Sequence, residues 1–131
     1  MKRGALNVTI PATWKAAEGF LTRFRNRFRT VWGLRDSFGT ELLLREALNN
    51  AVLHGCRCDP KKRVCCRVRM DARRVIFSIR DEGCGFDWRA VHDREAEVAA
   101  ESGRGLGIYR RYASRVWFNA AGNAIIVIKR L

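Results

Sequence analysis

At 131 residues the chain has the length of a single domain, 1–131, and its 47% hydrophobic content is enough for a packed core, which argues against disorder. No apolar run approaches the roughly 20 residues needed to cross a bilayer, and the opening MKRGALNVTIPATW lacks a signal peptide's apolar stretch, so a cytoplasmic protein with no membrane role is expected. The net charge is +13, and because only five of the 26 basic residues are lysine, 21 are arginine; such a balance draws polyanions, whether nucleic acid, nucleotides or an acidic protein.

In chain order, residues 5 to 10 (ALNVTI) read as a short strand stopped by Pro11. Thr13 can cap a helix from Trp14 to Val31, whose apolar positions Trp14, Ala17, Leu21, Phe24, Phe28 and Val31 keep the spacing of one buried face. Arg23, Arg25, Arg27 and Arg29 crowd the rest of it, as a solvated face or as a docking surface for an acidic partner. A second helix starts near Ser37 or Thr40 and ends at His54, with Gly55 placed for a left-handed cap.

Residues 64 to 70 and 75 to 81 are predicted strands joined by a turn at 71 to 74. Val75, Phe77, Ile79 and Asp81 share one face, so Asp81 points toward the helix layer with apolar neighbours. Residues 88 to 102 are polar and helix-prone. A helix then runs from about Ile108 to Ser114, and strands 115 to 120 and 124 to 130 close a hairpin around Gly122 and Asn123. The mixed order gives an α+β fold, a mixed or antiparallel sheet with helices on one face.

Five cysteines (Cys56, Cys58, Cys65, Cys66 and Cys84) are an odd count without the paired spacing of a zinc site. Cys65 and Cys66, adjacent in a strand, point to opposite faces. They read as small hydrophobes.

Three segments carry chemistry. In EALNNAVLH (46 to 54), Glu46, Asn50 and His54 recur at four-residue spacing on one helical face. In DEGCGFD (81 to 87), Asp81 can accept a hydrogen bond from a base's amino group, while Gly83 and Gly85 permit close approach. In SGRGLG (102 to 107), glycine amides before a helix make an anion cradle and Arg104 adds charge. Each alone is a weak signal, since turns also use Asp and Gly. Their order is what points to a nucleotide: Glu46 is suited to a general base, and Asn50 offers a neutral oxygen to Mg²⁺. Phosphoryl transfer depends mainly on such positioning.

With IPA (10 to 12), ELLLREALNNAVLHG (41 to 55), RDEGCGFD (80 to 87) and SGRGLGIYRR (102 to 111), the chain resembles the histidine-kinase-like ATPase superfamily. Within it, the chain is most similar to the anti-sigma factor serine-protein kinases. The resemblance implies a Bergerat fold, a two-layer α/β sandwich with a mostly antiparallel sheet, and an ATP- and Mg²⁺-dependent serine/threonine kinase. Such a kinase phosphorylates an anti-sigma-factor antagonist of the STAS type and sequesters a sigma factor. By motif, Asn50 would hold Mg²⁺ and Glu46 would be the catalytic base. Asp81, Gly83 and Gly85 would form the adenine pocket, and residues 88 to 102 the lid. Gly103, Arg104, Gly105, Leu106 and Gly107 would close over the phosphates. His54 fits the motif's last position, although a histidine at a helix end is more often a cap or packing residue. A homodimer is common among relatives, and Arg23 on the first helix is a candidate sigma-factor contact. Two departures stand out: Asn123 follows Gly122 where the family commonly has threonine, and arginine is in excess. The alternatives are an ATP-binding regulator without kinase activity and a detached histidine-kinase-type catalytic domain. A nucleic-acid binder rests on charge alone, with no helix-turn-helix or stacking pattern behind it.

Overall fold

The computed structural model describes residues 4–31, 37–71, 73–83 and 101–131. Strand β1 (Gly4–Pro11) leads into α1 (Trp14–Phe24), whose N-cap Thr13 accepts a hydrogen bond from the Ala16 amide at 3.2 Å. The predicted helix to Val31 is present, but from Arg25 its turns widen to the π form. Helix α2 (Ser37–Asn49) also widens, over Asn50–Gly55. Then come β2 (Arg63–Met70), β3 (Arg74–Asp81), α3 (Glu101–Tyr112), β4 (Arg115–Phe118) and β5 (Ala124–Arg130).

The strands form one sheet in the order β1-β2-β3-β5-β4, and each of its pairings is antiparallel. The helices pack on one face, as an α+β fold with alternating strands requires. That face is apolar at every second strand position: Val64, Cys66 and Val68 from β2, Val75, Phe77 and Ile79 from β3, Ile125 and Val127 from β5. Phe20, Phe24 and Phe28 from the first helix and Leu43, Leu44, Leu48 and Val52 from the second fill the space above them. Each such side chain contributes about 1.5–3 kcal/mol on burial. The aromatic rings of Phe24 and Phe28 stack at 4.8 Å. Phe20 was absent from the predicted buried face, and Trp14, included in it, is 40% exposed.

Two expectations fail. Gly55 is not a left-handed cap; the left-handed residues near this helix end are Arg57 and Cys58, with φ of 52° and 57°. The last helix starts at Glu101 rather than near Ile108, so SGRGLG lies inside α3 and not in a loop before it. Glycine permits a helix at a cost of roughly 1 kcal/mol per residue, and here that cost does not stop it. At its far end, buried Lys129 donates to the Tyr112 carbonyl at 3.2 Å, a cation where helix carbonyls lack partners.

Just after α1, Arg25 pairs with Glu41 at 3.1 Å, and Glu18 of α1 pairs with Arg45, so this helix surface is partly neutralised. Cys66 is buried and its thiol is pushed up to about 12 by burial, the state of an inert hydrophobe. Among the described residues no group of cysteines, histidines and carboxylates could hold a metal ion. Cys84 lies outside them. No helix among them is long and apolar enough to cross a membrane.

Candidate functional site

Helix α2 crosses the sheet and leaves a narrow cleft against β3 and the β4–β5 hairpin. Ala47, Asn50 and Ala51 line it from the helix, Ile79 and Asp81 from β3, and Phe118, Gly122, Asn123, Ala124 and Ile125 from the hairpin. Asn50 and Asp81, from two segments far apart in sequence, thus line one space.

Asp81 is the inward carboxylate expected from strand alternation, only 7% exposed. Its backbone N–H donates to the Asn123 carbonyl at 2.9 Å, which ties the end of β3 to the hairpin. Its Oδ1 accepts the Gly83 amide at 2.8 Å. Burial pushes its pKa up to about 6, partly opposed by that hydrogen bond and by the charge of Lys62. Burial also raises the Cys56 thiol, and the charge of Asp81 adds to it.

The glycines explain how a carboxylate fits here. A Cβ on Gly55 would lie 2.5 Å from the Asp81 carboxyl carbon, and one on Gly83 would lie 1.8 Å from the Gly55 carbonyl oxygen. Gly55 is therefore required by the close approach of Asp81, not by a left-handed turn. Gly83 holds the strand end against the helix end. Gly85 and residues 88 to 100 of the expected lid lie outside the described residues.

At the other end, Asn50 Nδ2 donates to the Tyr109 hydroxyl of α3 at 3.0 Å. Tyr109 is buried, and burial raises its pKa. The negative charge of Glu46 raises it further, while the Asn50 bond lowers it. Glu46, one turn before Asn50, has its Oε2 buried. Glu46, Asn50 and Tyr109 thus form one polar cluster. Tyr109 was missed as a site residue; its signal was its place in SGRGLGIYRR, a lone aromatic hydroxyl one turn beyond the glycines.

His54 is exposed at the end of the widened turns and does not line the cleft. Gly103, Gly105 and Gly107 sit on α3, the helix that brings Tyr109 to Asn50. The side chains of Arg104 and Leu106 lie outside the described part. Asn123, the departure from the family pattern, lines the cleft: its side chain bonds Asn119, which also accepts the Asn123 and Ala124 amides.

This donor set fits a purine nucleotide with a divalent cation. Asp81 can accept from an amino group, apolar walls can sandwich a ring, and Asn50 and Glu46 supply oxygens at the far end. The cleft is narrow and half open, with about 10 Å³ of free space among the described residues, room for about one water. The family model described as histidine kinase-like ATPase domain matches residues 10–129. Comparison with curated proteins finds no match.

Proposed function

The chain belongs to the histidine kinase-like ATPase family, and on that footing we propose that it is a Mg²⁺-dependent protein serine/threonine kinase acting as an anti-sigma factor. It phosphorylates a STAS-type anti-sigma-factor antagonist and sequesters a sigma factor, as a homodimer. Family membership supports ATP binding. The finer reading is supported by the motif resemblance and by one observation above others: Asn50 and Asp81 face each other across one cleft, with Glu46 a turn away.

Each residue's work follows from its place. Asp81 accepts a hydrogen bond from the adenine amino group, and Gly55 and Gly83 leave room for that carboxylate. Asn50 would hold Mg²⁺ through its amide oxygen, since its amide nitrogen is given to Tyr109. Bound there, the cation would supply neutralisation of phosphate charge. Glu46 takes the proton from the attacking serine or threonine hydroxyl.

The narrow cleft and the Asn50–Tyr109 bond favour a second reading, an ATP-gated regulator that holds its partner without phosphorylating it. Incubation with labelled ATP, Mg²⁺ and a STAS-type antagonist separates the two. Wild type should transfer label, and Glu46→Gln should lose about 10²-fold or more of the rate while binding ATP as before. Equal transfer by Glu46→Gln overturns the assigned base. ATP binding with no transfer by wild type establishes the regulator.

A further inference from the structure

The sheet's second face, turned away from the helices, carries a pattern that the nucleotide site does not use. Its outward strand positions hold Arg63, Arg67 and Arg69 on β2, Arg74 and Arg80 on β3, Arg115 on β4 and Arg130 on β5, all exposed. No outward strand residue on this face is acidic. Asp71 and Glu82 stand just beyond the strand ends, and Asp71 reaches Arg74 at 4.0 Å. No other ion pair among the described residues engages these arginines.

The arginines surround an apolar island. The register sets Ile76 beside Ile128, and Ile126 beside Trp117. Trp117 is 57% and Ile126 36% exposed. A hollow of about 530 Å³ opens beside the island, lined in part by Ala5, Arg69, Arg74 and Ile76. Like charges crowded on one face weaken the fold. The arrangement is that of a binding surface, with isoleucines at the centre, arginines flanking them and Trp117 beside them on the edge strand β4.

We propose that this open sheet face docks an acidic segment of a partner protein, one that sets carboxylates around a few apolar side chains. Arginine's planar fork suits paired carboxylates. The island decides between polyanions: isoleucines match a partner's aliphatic side chains, whereas a nucleic acid strand would need several rings to stack its bases, and Trp117 is the only ring on these outward positions. The proposal rests on the sheet alone, whether or not the cleft transfers phosphate.

Fluorescence anisotropy tests it with four labelled probes. They are a short glutamate–leucine peptide, the same peptide with serine for leucine, an oligodeoxythymidylate and phosphatidylserine vesicles. The leucine peptide should bind about tenfold tighter than its serine counterpart and tighter than the oligonucleotide or vesicles. Arg67→Ser/Arg69→Ser and, separately, Trp117→Ser should each weaken it about tenfold. The charge-matched control Lys15→Ser/Arg111→Ser, two exposed cations on the helix layer, should change it less than about twofold, with urea unfolding showing all variants folded. Tighter binding of the oligonucleotide or vesicles, no discrimination between the peptides, or an equal loss in the helix control would overturn the proposal.

Discussion

The two faces of this sheet are built from the same five strands and differ in almost every respect. The covered face is apolar and close-packed, and its one buried carboxylate, Asp81, is placed at a strand end where a cleft opens. The open face is arginine around isoleucine and tryptophan. Strand alternation lets both exist at once: Arg80 and Asp81 are sequence neighbours facing opposite ways, as are Lys129 and Arg130. A slip of one residue would exchange them, so the hydrophobic pattern that fixes the fold also fixes both surfaces. The difference between the faces lies in how much each side chain is constrained. Substitutions on the covered face should act through stability and nucleotide together, and those on the open face through partner binding alone.

The sharpest contrast is Gly83→Ala. Its new Cβ would lie 1.8 Å from the Gly55 carbonyl oxygen, and backbone cannot step aside as a flexible side chain can. We expect a loss of about 3 kcal/mol in urea unfolding, the upper range for forced overpacking, and loss of nucleotide binding. Arg67→Ala on the open face should stay within about 0.5 kcal/mol of wild type. Similar losses in the two variants would erase the distinction between the faces.

Asp81→Asn should split stability from function. The carboxyl ordinarily titrates near 3.8 and here near 6, so between those values the folded protein binds more protons than the unfolded chain. Stability therefore falls as pH rises through that window and stays lower above it. Removing the charge should stabilise the protein at pH 7.5 by about 1–2 kcal/mol, with the gain vanishing at about pH 4. ATP affinity should drop about tenfold or more, because the carboxylate that accepts the adenine amino group is gone. Thermal unfolding at both pH values, with calorimetric titration of ATP, checks it. A variant less stable than wild type at pH 7.5 would show that the carboxylate is held there for the fold rather than for a ligand.

How much of this was legible from sequence follows from the range of each signal. Local signals carried well: Thr13 as a cap, strand alternation placing Asp81 inward, and the spacing that buries Phe24 and Phe28. Of the three nucleotide segments, the first two bring Asn50 and Asp81 to one cleft. Signals that depend on a distant partner did not carry. Gly55 looked like a cap because glycine usually ends helices, and only Asp81, 26 residues later, shows the real constraint. The glycines of SGRGLG looked like a loop because propensity disfavours them in a helix, and tertiary context overrode that. Tyr109 gave only the faint signal of its place after the glycines, since its role exists only once α3 packs beside Asn50. The arginine excess was visible at once, but its concentration on one face needed the strand register.

The smallest expected effect tests whether the open face is maintained at a cost. Arg74 and Arg130 are directly opposed across β3 and β5, both exposed. Like charges in that position destabilise a sheet, and opposite ones stabilise it, by about 0.2–1 kcal/mol. Asp71 relieves Arg74 only from 4.0 Å. Arg130→Glu should therefore raise stability by about 0.5 kcal/mol at low salt, and the gain should shrink as added salt screens the pair. The same variant should weaken the acidic peptide, because it removes a cation from the ring and puts a carboxylate in its place. A protein that becomes more stable while it binds less well would identify this arginine as held in place by a partner and not by the fold. If stability falls instead, Arg130 supports the sheet in its own right, and the two faces differ less than their residues imply.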